Sequence, residues 1–305
     1  MNIRSLIVCL LLLLLATSTR SQSLATKLGY ASDSKLLILH ADDLGVAHAE
    51  NQATIDAFEV GMVRSASVMV PSPWFNEMVH WFKQHPDADL GLHLTLTSEW
   101  DILKWGPVAS VEKVPGLVNP QGYFYDNVND VIAHASVEEV ETELRAQIER
   151  SLAAGLKPTH LDSHMGSLFN KKFLPVYCKL GREYNIPVML SANVFEMFPG
   201  EKPTMPEYEL MVDQVHMAFP EDYQAGMQDF YRNQLRSLSP GVSVLLIHPA
   251  YDNQEMQAVT INHPNYGADW RQQDFNFFTS EDCRQILEEE NIRLITWREI
   301  GEFIK

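Results

Sequence analysis

Short apolar runs of strand length recur along this chain, and four of them end at a histidine or an aspartate. These runs are residues 36–43, 91–96, 159–164 and 242–248. Parallel strands of one sheet bring their terminal residues to a common edge. We therefore expect the side chains at the ends of these four runs to converge in space.

Strand-like and helical segments alternate almost throughout the chain, as expected for a parallel sheet. About seven or eight such units suit a closed barrel better than an open sheet. The sequence therefore predicts an α/β fold, a distorted (β/α)7–8 TIM-like barrel that forms a single domain over residues 30–305. A doubly wound sheet is the alternative.

The first 21 residues are predicted to be a signal peptide. Arg4 supplies the positive charge, residues 6–16 form an apolar core, and small residues follow as a cleavage site. This core is too short to cross a bilayer, which takes about 20 residues. We therefore expect export, periplasmic or secreted, without stable membrane insertion; an uncleaved N-terminal anchor is the alternative.

The charge of the remaining chain limits its partners. Without residues 1–21 the chain has 21 basic and 40 acidic residues, a net charge of −19. Such a charge argues against nucleic acid or an anionic membrane surface as partner. Only Cys178 and Cys283 remain, which excludes a zinc site made of cysteines. Whether they form a disulfide stays open, as does the oligomeric state.

Two adjacent carboxylates, Asp42 and Asp43, stand at the end of the first apolar run. Neighbouring carboxylates repel each other, and such a pair is useful where one binds a cation and the other transfers protons. A helix is predicted shortly after them, so helix capping by Asp43 is the structural alternative.

Histidines complete the candidate site. Alternation along the strands puts His93 on one face, and it groups His160, Asp162 and His164 on another. Polar groups on such a face are costly to bury without partners. His164 can therefore bind a metal while Asp162 or His160 orients it. His248, at the end of the last run, can donate a proton.

An aspartate with two histidines leaves coordination positions open for water and substrate, as a catalytic metal requires. Zinc suits the imidazoles, whereas magnesium suits oxygen ligands. A metal-dependent hydrolase is therefore the leading interpretation. The other histidines, His40 among them, have no comparable setting and are interpreted as structural or surface residues.

Five motifs occur in one order: HADDLG at 40–45, GMVRSASVM at 61–69, GLHL at 91–94, THLDSH at 159–164 and IHPAY at 247–251. Together they resemble the YdjC-like carbohydrate deacetylases, the ChbG/YdjC group, from about residue 36 to the C-terminus. The resemblance implies a barrel of the polysaccharide-deacetylase type, a divalent metal ion, and removal of an acetyl group from an N-acetylated sugar or oligosaccharide.

The resemblance also implies roles for individual residues. Asp42 matches the catalytic base and His248 the catalytic acid. The implied metal ligands are Asp43, His93 and His164. The wider deacetylase superfamily binds metal through a His-x-x-x-His pair, a spacing that His160 and His164 share, so His160 is the alternative to His93.

Two departures from the family pattern concern the substrate. Met189 stands where many relatives have an arginine, which removes one place to bind an anion. The signal peptide is the second departure, and together they point to a neutral glycan. Rim aromatics are expected to stack on its rings, the candidates being Trp100, Trp105 and Trp270.

Two other functions stay open at this stage. The same metal chemistry could cleave an ester or a phosphoester of an exported glycan, and an exported barrel could bind glycans without turning them over. A pure binding protein has no need of an acid, a base and a metal ion, which argues against the second alternative.

Export is a testable expectation. Because residues 6–16 are apolar and small residues follow them, the mature chain should begin near Thr19 or Gln22. Mass spectrometry of the protein recovered from outside the cytoplasm measures this start. A mature chain that retains Met1 would contradict cleavage.

Overall fold

The computed structural model describes residues 23–198, 203 and 211–303. The predicted signal peptide, residues 1–21, lies outside the described residues. Seven strands alternate with helices in the described part of the chain. The strands are β1 (Lys35–Leu44), β2 (Ser65–Val68), β3 (Asp89–Leu94), β4 (Leu161–Ser163), β5 (Gln214–His216), β6 (Gly241–Ile247) and β7 (Ile292–Leu294).

Helices occupy most of the connections between the strands. In chain order they are α1 (Leu24–Lys27), α2 (His48–Val60), α3 (Phe75–Gln84), α4 (Val128–His134), α5 (Val137–Ala153), α6 (Leu174–Tyr184), α7 (Val194–Met197), α8 (Pro220–Ala225), α9 (Met227–Arg236), α10 (Gln254–Val259), α11 (Ala268–Phe278), α12 (Glu281–Glu289) and α13 (Trp297–Gly301). Several begin with the caps that their sequences suggest, such as the capping box of Ser136 and Glu139 in α5.

The strands form one parallel sheet with β1 at its centre. Its order is β4-β3-β2-β1-β6-β5, and β7 also pairs with β1. Strand β6 runs along β1 from Lys35 to Ala41. Strand β7 pairs with the start of β1, and β2 pairs with its end. Strand β1 therefore has neighbours along both of its edges.

An intervening segment, residues 188–190, bridges the gap between the two outer strands of this order through backbone hydrogen bonds. Met189 N–H donates to Leu161 O at 2.9 Å, and Val212 N–H donates to Leu190 O at 3.0 Å, just before β5. The sheet therefore curves into a distorted barrel. The prediction of a parallel α/β barrel is confirmed in this irregular form, and the open doubly wound alternative is not observed.

The central strands are apolar on both faces because helices and the barrel interior cover them. Every residue of β6 is buried, and so is every residue of β1 except the half-buried Lys35. The polar groups at the ends of these strands are therefore also buried. Their contacts decide what the site can do.

Two long connections, 97–136 and 249–279, contain short helices. Helix α4 lies in the first of them, and helices α10 and α11 lie in the second. Asn127 and Asn253 cap α4 and α10 by accepting a backbone hydrogen bond through their side chains. Short capped helices of this kind carry too little periodicity to be seen in the sequence.

Two of the three expected rim tryptophans hold loops in place. Trp105 is buried, and its indole N–H donates to the Thr97 carbonyl at 2.8 Å. Trp270 is buried between Tyr223 and Tyr266, with ring centroids 4.9 Å and 4.4 Å away. The expectation that these two rings stack on a sugar is wrong, because burial against the loops leaves neither ring available.

Cys178 and Cys283 are both buried free thiols, so the structure contains no disulfide between them. Within the described residues, no helix has the length and apolar character needed to cross a membrane.

Candidate active site

The carboxyl ends of the barrel strands open into a cavity of about 740 Å³. Both Asp42 and Asp43 line it, although alternation along a strand would put neighbours on opposite faces. Asp43 has a φ of 65°, in the left-handed region that residues other than glycine rarely adopt. This bend turns both carboxylates toward the cavity, and strain of this kind recurs at functional sites.

Three of the predicted metal ligands meet at one point of the cavity wall. Asp43 Oδ1 lies 3.2 Å from His93 Nε2 and 3.1 Å from His164 Nδ1. The ligand atoms of the three residues all lie within 4.8 Å of one another. Asp43 Oδ1 has no hydrogen-bond partner among the described residues, although it is buried. An orphaned carboxylate oxygen facing two imidazole nitrogens is a donor set that fits a divalent cation.

The other nitrogen of each imidazole is already engaged. His93 Nδ1 lies 2.7 Å from Asp162 Oδ1, and His164 Nε2 lies 2.9 Å from Glu99 Oε2. Carboxylates that hold the far nitrogen fix the orientation of a ligand histidine and increase its basicity. Asp162, which was expected with His160 as the alternative to orient His164, contacts His93 in the structure.

A buried arginine binds the second oxygen of the Asp43 carboxylate. Arg271 Nη2 donates to Asp43 Oδ2 at 2.8 Å, and Nη1 donates to the fully buried Glu50. Burial alone would raise the pKa of the Asp43 carboxyl, but Arg271 and His164 hold it well below its usual value. Asp43 is therefore a carboxylate, as a metal ligand must be.

A second buried network contains Asp42. His40 Nε2 lies 2.9 Å from Asp42 Oδ1 and 2.9 Å from Asp162 Oδ2, and His40 Nδ1 lies 2.8 Å from Ser65 Oγ. Burial alone would lower the pKa of His40, but Asp42 and Asp162 raise it to about 9. The interpretation of His40 as a structural or surface residue therefore missed its contact with the predicted base.

Asp43, His93 and His164 are called the Asp43 trio below. His160, the alternative ligand, lies outside it. It is fully buried, it stacks on Trp297 with centroids 5.2 Å apart, and its Nδ1 lies 3.0 Å from Thr159 Oγ1. A Cβ at Gly91 would come within 2.4 Å of this ring, so glycine there makes the room. The geometry favours His93 over His160 at the cavity.

His248 lies on the cavity wall beside the predicted base. Its Nε2 is 4.0 Å from Asp42 Oδ2, and its backbone N–H donates to Asp274 at 2.8 Å. Tyr266 packs edge-on against its ring. Burial lowers the pKa of His248 to about 4, although Asp43 and Asp42 act in the opposite direction.

Sequence reasoning missed the residues that support the site, which are His40, Glu50, Glu99, Arg271 and Asp274. Glu99 and Arg271 lie in the two long connections, where no strand pattern marks them. His40 had a usable signal, because alternation along β1 puts it on the same face as Asp42.

Fold and site together define a parallel α/β barrel with a candidate divalent-cation centre at the carboxyl ends of its strands. The model of the YdjC-like protein family matches residues 36–289. The chain therefore belongs to this family, and the resemblance noted in the sequence is confirmed.

Individual relatives match most of the chain. A protein of Thermus thermophilus named carbohydrate deacetylase is 32% identical, covering 88% of this chain and 94% of the relative. One of the same name from Brevibacillus brevis is 30% identical, covering 87% and 99%. A crystal structure from Enterococcus faecalis, whose description proposes cellobiose-phosphate cleavage, superposes with a TM-score of 0.70 at 27% identity, covering 88% and 99%.

The trio leads to a prediction about metal binding. Replacing His93 or His164 with alanine removes one nitrogen from the cluster, so bound divalent metal should fall sharply while the fold persists. Metal content per chain, measured by elemental analysis beside a thermal unfolding curve, tests this. Unchanged stoichiometry in either variant would remove that residue from the ligand set, and His160 would be examined next.

Proposed function

We propose that this protein is a metal-dependent carbohydrate deacetylase that hydrolyses the N-acetyl group of a sugar or oligosaccharide. The proposal rests on the position of Asp42. This carboxylate is not part of the Asp43 trio, and it lies beside the candidate cation site and beside His248 in one cavity. The family membership and the relatives named carbohydrate deacetylase support the same reaction.

The proposed cation is Zn²⁺ or Mg²⁺, held by Asp43, His93 and His164. When bound there, it would lower the pKa of a water molecule and polarise the acetyl carbonyl. Two imidazoles favour zinc, whereas the carboxyl groups of Asp42 and Glu99, which line the same cavity, are compatible with magnesium. The proposal requires a divalent ion and leaves its identity to measurement.

Asp42 and His248 are the proposed acid–base pair. Asp42 accepts a proton from the attacking water at Oδ2, the oxygen that faces His248. His248 is uncharged in the free site, because its pKa is lowered to about 4. It must therefore gain a proton during the reaction. Asp42, whose Oδ2 lies 4.0 Å from His248 Nε2, passes on the proton taken from the water. His248 then donates this proton to the departing sugar nitrogen as the C–N bond breaks.

The cavity lining supports an uncharged substrate. Among the described residues that line it, Arg271 is the only lysine or arginine, and Asp43 and Glu50 already neutralise its charge. Asp101 and Asp126 add negative charge to the lining, and Met189 contributes an apolar side chain. Among the described lining residues, a phosphate would therefore find no unpaired lysine or arginine to bind.

We further propose that the enzyme acts outside the cytoplasm, where neutral glycans would be its substrates. The apolar run at residues 6–16 supports this proposal, together with the acidic composition of the chain. The N-terminal mass measurement described above tests it independently of the reaction.

The reaction itself is tested by incubating metal-loaded protein with N-acetylated oligosaccharides and following acetate release and the loss of one acetyl unit by mass spectrometry. Asp42→Asn is nearly isosteric but cannot accept the proton, so turnover should fall by about 10²–10⁴-fold while metal remains bound. His248→Ala should also retain metal and slow the reaction, least for substrates with better leaving groups.

Asp33→Asn is the matched control, because Asp33 is an exposed carboxylate just before the start of β1. It should leave turnover unchanged. Release of phosphate in place of acetate would support a phosphoesterase, and unaltered substrate after long incubation would support a binding protein. A loss of merely a few-fold in Asp42→Asn would make Asp42 a structural residue.

The preference for neutral substrates has its own test. Because the described lining residues offer a phosphate no unpaired lysine or arginine, a neutral N-acetylated disaccharide should be turned over with a higher kcat/KM than its 6-phosphate. The two substrates are compared side by side with the same metal-loaded protein. A clear preference for the phosphorylated form would contradict this proposal and would agree with the description of the Enterococcus faecalis structure.

A further inference from the structure

We propose that His40 is a positioning residue for the reaction, which holds the carboxylate of Asp42 so that Oδ2 faces the reacting groups. The proposal rests on the proposed function, in which Asp42 is the general base. It assigns a role to a residue that does not line the cavity. His40 stands first in the HADDLG motif, in which the resemblance implied roles only for Asp42 and Asp43.

The two oxygens of Asp42 have different surroundings. Oδ1 lies 2.9 Å from His40 Nε2, and its contact with Ser67 Oγ is long, at 3.5 Å. Oδ2 lies toward His248, with Nε2 4.0 Å away. A carboxylate turns freely about its last bond unless one oxygen is held. The contact with His40 therefore decides which oxygen is available to a water molecule.

His40 is itself fixed in place. Its ring is fully buried, and Nδ1 lies 2.8 Å from Ser65 Oγ on the neighbouring strand β2. His160 packs edge-on against the same ring, with centroids 4.8 Å apart. A ring that is packed on its edge and bonded through both nitrogens cannot turn to follow Asp42, so it acts as a fixed anchor for that carboxylate.

A second set of contacts connects His40 to a proposed metal ligand, His93. The same Nε2 lies 2.9 Å from Asp162 Oδ2, and Asp162 Oδ1 lies 2.7 Å from His93 Nδ1. Through this second route His40 could act on the metal ligand rather than on the base. The first role predicts a change in turnover with metal binding intact, whereas the second predicts a change in metal affinity.

Two amide variants test the first role with charge held equal. In H40Q the side-chain amide can occupy the place of Nε2 and still donate to Asp42. In H40N the shorter amide corresponds to Nδ1, so it keeps Ser65 within reach. It loses the partners of Nε2, which are Asp42, Asp162 and Ser67. Both variants remove the same imidazolium charge, so the comparison isolates the contacts of Nε2. Metal content then separates the contact with Asp42 from the contact with Asp162.

We expect kcat of H40N to lie about 10–10²-fold below that of H40Q, since misplacement of a reacting group by about 1 Å costs up to that much. KM should agree within about threefold, because the substrate does not touch His40 and only the reacting geometry changes. Metal per chain and the midpoint of thermal unfolding should be the same for both variants.

Equal kcat in the two variants would overturn the proposal, as would loss of metal in H40N, which would assign His40 to the route through Asp162. Unfolding of H40N alone would assign His40 to stability and would overturn it as well. Asp42→Asn, measured in parallel, keeps the two proposals apart. If Asp42→Asn retains activity, the proposed base is wrong; if it is inactive while H40N equals H40Q, only the role of His40 fails.

Discussion

The site depends on one buried carboxylate, Asp162. Strand register puts it directly opposite His93 in the pairing of β3 with β4, and its two oxygens contact His93 and His40. Burying a carboxylate is costly unless charges compensate it, and here two imidazoles do so. The positions of the candidate metal centre and of the proposed base are therefore fixed by the same interaction rather than by two independent ones.

The sequence was sufficient to predict this convergence because period-two alternation and strand ends are strong local signals. Asp42, Asp43, His93, His164 and His248 all line the cavity, as their positions at the ends of apolar runs indicated. The parallel barrel followed from the order of the strands and helices. Each of these inferences needed only residues close together in the chain, plus the rule that parallel strands end at one edge.

The sequence could not predict contacts between distant segments without a repeating pattern. Arg271 contacts Asp43 across 228 residues, and Glu99 contacts His164 across 65. Neither lies on a strand, so no alternation marks its direction. The rim tryptophans show that a pattern can also be misread. Large rings in loops suggested stacking on a ligand, but Trp105 and Trp270 are buried against the loops that carry them.

The central position of β1 has a consequence for how the chain folds. Its edges are completed by β2, by β6 and by β7, which lies some 250 residues further along. Until those last strands are in place, β1 has an unpaired edge, which is an aggregation risk. Arg271 reaches Asp43 at the same late stage, so contact order is high and folding is expected to be slow. The contact of Arg271 with Asp43 would then form only when nearly the whole chain has been made.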